Sequence, residues 1–162
     1  MAGEELKAVL LVEDSENDIE LTLLSLQRAG LENPVDVVRD GVEALEYLRR
    51  EKKWSGRPDV HPAVILLDKK LPRLDGHDVL AAVRADEQLQ HIPIVMLTSS
   101  RQETDLLTSY DLGVNAYVVK PVEFTDFMDA IKDIGAFWLV LNKHRARQPG
   151  RTSATRPASD DA

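Results

Sequence analysis

Residues 63–68 read Ala-Val-Ile-Leu-Leu-Asp, five apolar side chains in a row closed by a carboxylate. A strand with one wet face alternates apolar and polar residues. A run without alternation fits a strand covered on both faces, as in a parallel sheet sandwiched between helices. The run therefore predicts a central strand over 63–67 with Asp68 at its carboxyl end. Ala8–Val12 is a second continuous apolar run, and Val35–Val38, Ile94–Leu97 and Ala116–Val119 supply shorter ones. Helical periods lie between them. Ser15 offers a hydroxyl cap before Ile19, Leu23, Leu24 and Leu26, a spacing that ends at Gly30. Val42, Leu45 and Leu48 mark a second helix running into the basic segment 49–53. Val79, Leu80 and Val83 mark a third over 76–86, and Leu106, Leu107 and Tyr110 a fourth, stopped by Gly113. The last helix is expected from Glu123 to about Lys143, with Phe124, Phe127, Met128, Ile131, Ile134 and Trp138 at core spacing. Strands alternating with helical lengths imply right-handed crossovers and a doubly wound α/β sandwich.

A chain of 162 residues suits one domain with a sizeable core. The expected division is an N-terminal extension over 1–6, the domain over 7–143, and a tail over 144–162. That tail is expected to be disordered, since Pro, Gly, Ser, Thr, Arg and Asp dominate it without apolar periodicity. The connection 51–62 carries Trp54, Gly56, Pro58 and Pro62 and reads as an ordered surface loop. A net charge of -8 argues against nucleic-acid binding, which needs clustered Lys and Arg. The basic cluster Lys143, His144, Arg145 and Arg147 is explained by the dipole at a helix end. The absence of Cys excludes disulfides and thiolate chemistry. No basic segment leads into a long apolar stretch, and no run approaches the ~20 apolar residues that span a bilayer. A soluble, cytoplasmic protein with no membrane association is expected.

In an open parallel sheet, ligands bind at the carboxyl ends of the strands. Here the first strand ends in Glu13-Asp14, the third in Asp68 and the fourth in Thr98, and Lys120-Pro121 follows the fifth. Any one acid after a strand reads most simply as a helix cap. Three on converging strands, beside a Lys and a Thr, do not. Three unpaired carboxylates repel one another, and a hard divalent cation such as Mg²⁺ resolves that conflict. Asp68 is the natural nucleophile, because a carboxylate forms an acyl phosphate without base activation. Phosphoryl transfer then asks chiefly for charge neutralisation, with the metal, Lys120 and the Thr98 hydroxyl each holding one phosphoryl oxygen. A cis Lys120-Pro121 bond would aim the Lys side chain inward.

These residues closely resemble the receiver domain of bacterial response regulators. The matching pieces are Leu11-Val-Glu-Asp-Ser15, Leu66-Leu-Asp68, Leu71-Pro-Arg-Leu-Asp-Gly76, Thr98-Ser-Ser100 and Tyr117-Val-Val-Lys-Pro121. They span roughly 7–143, with 30 residues from Asp68 to Thr98 and 22 from Thr98 to Lys120. The resemblance implies a flavodoxin-like (βα)5 fold with strand order 2-1-3-4-5 and phosphorylation of Asp68 by a phosphohistidine donor. It puts Glu13, Asp14, Asp68 and the Lys70 backbone carbonyl on Mg²⁺. It also implies a switch in which Thr98 moves toward the phosphoryl group and Tyr117 turns inward. By residue type alone, Tyr117 serves equally as a static packed aromatic; the Thr-Tyr spacing favours the switch. Lys69 and Lys70 depart from the commoner pattern. Lys70 either tunes phosphoryl lifetime, by shielding the phosphate or pairing with Glu13, or is a solvated lysine. Ser100 is a second candidate for lifetime tuning.

The implied partner is a sensor histidine kinase or a phosphotransfer protein. The loop 51–62, the Leu-Pro-Arg-Leu-Asp-Gly turn and Phe137-Trp138-Leu139 are similar to single-domain regulators that serve phytochrome-type or other sensor histidine kinases. Output is expected through protein contact, phosphorelay or phosphate buffering, without a DNA-binding domain. Phe137, Val140 and Leu141 exceed the core stripe of the last helix: they either cover the sheet edge or, with Leu107 and Tyr110, form a homodimer contact through the fourth and fifth helices, and the dimer is the favoured expectation. A hydrolase with an aspartyl-phosphate intermediate would need an acid two residues after the nucleophile, where Lys70 stands. A pseudo-receiver that never takes phosphate would not need all of Glu13, Asp14, Asp68, Thr98 and Lys120.

Overall fold

The structure is a computed structural model and describes residues 6–28, 30–99 and 113–133. Five strands, β1 (Val9–Val12), β2 (Val35–Val38), β3 (Val64–Asp68), β4 (Ile94–Thr98) and β5 (Ala116–Val119), form one parallel sheet in the order β2-β1-β3-β4-β5. Four α-helices lie among the described residues: α1 (Glu16–Arg28), α2 (Gly41–Arg49), α3 (Gly76–Ala85) and α4 (Phe124–Asp133). Side chains alternate across a strand, so each strand feeds both faces. Val9, Leu11, Val64, Leu66, Val95 and Leu97 meet Ile19 and Leu26 of α1 and Phe127 and Ile131 of α4. Leu10, Val12, Ile65, Leu67, Ile94 and Met96 meet Ala44, Tyr47 and Leu48 of α2 and Val79, Leu80 and Val83 of α3. Two cores on one sheet account for the unbroken apolar runs.

Three helices open on the side-chain oxygens that cap exposed N–H groups. Ser15 Oγ accepts from the Asp18 N–H at 3.3 Å, Asp40 Oδ1 from Glu43 at 2.7 Å, and Asp75 Oδ1 from Asp78 at 3.1 Å. Helix α2 ends at Arg49, short of the expected run into 49–53. Arg50 is left-handed (φ 56°) and returns its N–H to the Glu46 and Tyr47 carbonyls. The loop that follows is ordered by aromatic contact. Trp54 meets the Tyr47 ring edge-on at 4.9 Å and donates to Glu43 Oε2 at 3.1 Å, while the Arg57 guanidinium covers the same Tyr47 ring at 3.8 Å.

Two expected core positions are exposed. Leu24 lies about 140° around α1 from Ile19 at the helical pitch, and Thr22 takes the inward place. Phe124 begins α4 beyond the reach of the sheet and shares a surface groove with Leu21 and Leu24. Ser100, Leu106, Leu107, Tyr110, Ile134, Trp138, the dimer positions Phe137, Val140 and Leu141, and the tail lie outside the described residues.

Arg84, at the end of α3, ties the far end of the sheet together. Its guanidinium donates to the carbonyls of Gly113, Gln90 and Ile92 at 2.8, 2.9 and 2.9 Å, and to Asn115 Oδ1 at 2.7 Å. Asn115 Oδ1 in turn accepts the Ile94 N–H that opens β4. Arg84→Met keeps the stem and removes every donor, leaving carbonyls short of partners. It is expected to cost about 3 kcal/mol in urea unfolding; an unchanged midpoint would show that solvent replaces these bonds freely.

Candidate functional site

The strand register brings the site together. Val12 pairs with Leu67, so Glu13 and Asp68 emerge side by side, and Thr98 pairs with Val119, so Lys120 emerges beside Thr98. The Lys120 N–H donates to the Thr98 carbonyl at 2.7 Å, extending that ladder by one bond. The Lys120–Pro121 peptide is cis. Oxygens of Glu13, Asp14 and Asp68 all lie within 4.8 Å of one another. Glu13 and Asp68 are buried, while Asp14 is exposed to solvent.

Lys120 Nζ sits among carboxylates, 3.1 Å from Asp68 Oδ1, 3.1 Å from Glu13 Oε1 and 2.8 Å from Asp18 Oδ2. Burial pushes the Glu13 carboxyl up to about 7, and the charge of Asp68 adds to the rise. Burial raises Asp68 as well, opposed by the charge and hydrogen bond of Lys120. Burial alone would lower the Lys120 ammonium. The hydrogen bond to Asp18 and the charge of Asp68 overcome it, and the net shift is upward. An acidic cluster of hard oxygen donors, with one member held near neutrality, is the donor set a divalent cation relieves.

The loop after Asp68 is gripped from two sides. A Cβ on Gly76 would collide with the Asp68 carbonyl and stand 2.9 Å from Lys69 Cα, so α3 approaches the Asp68 backbone only because residue 76 is glycine. On the other side, a Cβ on Gly41 would strike the Leu74 carbonyl, and the Gly41 N–H reaches the Pro72 carbonyl at 3.3 Å. Arg73, left-handed at φ 66°, donates to both Asp40 oxygens at 3.0 Å. Lys70 lies in this loop, exposed. Of the alternatives open for Lys70, the pair with Glu13 is not formed: the two Glu13 oxygens take Lys120 Nζ and the Ser15 N–H.

Thr98 is buried at the end of β4, and Tyr117 packs half-buried against the α2/α3 core. Tyr117 pairs with Met96, which shares a sheet face with Thr98, so Thr98 and Tyr117 are diagonal neighbours on one face. Sequence reasoning misses Asp18, which reads as an ordinary acid in the first turn of a helix. It also misses the Asp40–Arg73 pair, 33 residues apart in sequence.

The response regulator receiver domain matches residues 9–132. The chain belongs to the response regulator receiver family. This receiver is 59% identical to the bacteriophytochrome response regulator RtBRR, whose solved structure aligns with a TM-score of 0.79 over 85% of this chain and 82% of that one. It is 37% identical to the response regulator Rcp1 of Synechocystis over 133 residues, 82% of this chain and 89% of Rcp1. The Mn²⁺-bound form of Rcp1 aligns with a TM-score of 0.65 at 34% identity, over 94% and 99% of the two chains. The phosphorylated cyanobacterial phytochrome response regulator RcpA aligns with a TM-score of 0.66 at 37% identity, over 94% and 99%. Among the described residues, no helix of the receiver is long and apolar enough to cross a membrane.

Proposed function

We propose that this receiver takes a phosphoryl group onto Asp68 from the phosphohistidine of a sensor histidine kinase, of phytochrome type, or of a phosphotransfer protein. The observation that carries the reading is the Lys120 ammonium 3.1 Å from Asp68 Oδ1 beside a buried acidic cluster. A carboxylate oxygen of Asp68 bonds to phosphorus as the phosphorus–nitrogen bond of the donor breaks, and the imidazole leaves. Glu13, Asp14, Asp68 and the Lys70 carbonyl would hold Mg²⁺, which supplies neutralising positive charge to the phosphoryl oxygens. Mn²⁺-bound Rcp1 and phosphorylated RcpA support both halves of this reading by likeness. Lys120 and the Thr98 hydroxyl each hold a phosphoryl oxygen, and Thr98 and Tyr117 carry the change to the surface of a cytoplasmic signalling protein. Lys70, exposed two residues past Asp68, tunes phosphoryl lifetime by screening the phosphate from water.

With Mg²⁺ and acetyl phosphate, intact mass is expected to show one added phosphate per chain. Chelation should prevent it and hydroxylamine should discharge it, as an acyl phosphate requires. No adduct, or one that survives hydroxylamine, sinks the reading.

A further inference from the structure

Asp18 makes the shortest of the three contacts to Lys120, 2.8 Å against 3.1 Å for Glu13 and Asp68. An ammonium has three N–H donors; here Lys120 donates to Glu13 and Asp18 and stands in ion-pair contact with Asp68. Two of those carboxylates have other work in the phosphoacceptor reading, on which this inference rests. Glu13 belongs to the acidic cluster that fits a cation, and Asp68 becomes the acyl phosphate. Asp18 stands outside that cluster, on the first turn of α1. We infer that Asp18 is a positioning residue: it anchors the Lys120 ammonium against α1 while the other two partners are drawn to metal and phosphate.

Lysine reaches its site on a flexible four-carbon stem, and ordering that stem at the moment of transfer slows the reaction. A fixed carboxylate on one N–H does the ordering beforehand and leaves a second N–H directed at the incoming phosphoryl oxygen. Asp18 is also fixed itself. Its own N–H donates to Ser15 Oγ, so the cap that starts α1 sets where this carboxylate begins. The arrangement links the first helix to the residue after β5 across 102 positions of sequence.

The test measures initial phosphate uptake from acetyl phosphate at saturating Mg²⁺ for wild type, Asp18→Asn, Asp18→Glu, Lys120→Met and the double variant Asp18→Asn with Lys120→Met. Asp18→Asn is expected to slow uptake about tenfold, the loss of one charge-assisted hydrogen bond. Asp18→Glu should recover most of the rate, and Asp18→Asn should change nothing further once Lys120 is Met. That last comparison separates positioning through Lys120 from a merely structural effect. Phosphate uptake by Asp18→Asn at the wild-type rate overturns the inference alone, as does a full tenfold loss persisting in the Lys120→Met background. No phosphate on wild type overturns the phosphoacceptor reading and this inference with it.

Discussion

Asp68→Asn is expected to lower phosphate uptake from acetyl phosphate to less than about one-hundredth of wild type while leaving the fold at least as stable. An amide has no anionic oxygen to attack phosphorus, and the neighbouring carboxylates are poor substitutes. Glu13 is already engaged by Lys120 and the Ser15 N–H, and Asp14 stands exposed without the Lys120 contact that Asp68 has. Stability should move the other way. Asp68 is buried, and its charge raises Glu13, so neutralising it relieves a repulsion inside the metal-free cluster. The loss of one Lys120 contact opposes this, but Lys120 keeps Asp18 and Glu13. A gain of about 1 kcal/mol in Mg²⁺-free buffer at pH 8 is the expected balance. Intact mass and thermal melting on the same sample check both halves. Undiminished uptake by the variant would remove Asp68 as acceptor, and a large loss of stability would show that the cluster is not under electrostatic strain.

The second large effect is the response of the metal-free protein to pH. Glu13 has an ordinary value near 4.5 and is pushed up to about 7, by burial first and by the Asp68 charge second. A carboxyl raised on folding binds its proton more tightly in the folded state. Its stabilising contribution is therefore fully present below pH 4.5 and lost as pH rises through 7. That displacement corresponds to roughly 3 kcal/mol. Asp68 is also raised and acts with the same sign. Asp40 and Glu43 are lowered by hydrogen bonds and cations that overcome their burial, so their contributions fade as the solution becomes strongly acid. With a chelator present, stability should peak near pH 5 and fall toward pH 8. Mg²⁺ should restore it at pH 8 and do little at pH 5, because the cation needs Glu13 ionised. Apparent Mg²⁺ affinity should weaken about tenfold per pH unit below 7. Melting temperatures across this range, with chelator and with Mg²⁺, test the linkage; parallel curves would mean that Glu13 does not titrate with the cation.

The order of elements and the main acidic residues are legible without coordinates because they rest on local signals. A run such as Val64–Leu67 has no polar alternation, so it must be covered on both faces, and the residue that follows it must sit at a strand end. Glu13, Asp14, Asp68, Thr98 and Lys120 are found that way, each by its place after a strand. Helix phase and helix ends are less well determined: Leu24 looks like core but lies on another side of α1 from Ile19, and Phe124 shares the core spacing but stands at the first position of α4, so both are exposed. What only the tertiary structure decides is contact between chain segments with no local reason to meet. Asp18 reaches Lys120 because α1 and the end of β5 flank the same strand ends. Arg73 reaches Asp40, and Gly41 and Gly76 admit the loop after Asp68 between two helix starts, because helices are pressed there against backbone rather than side chains. Periodicity records which face of an element is buried. It carries no information about which distant charge or carbonyl lies opposite, and that is set by strand register and close packing.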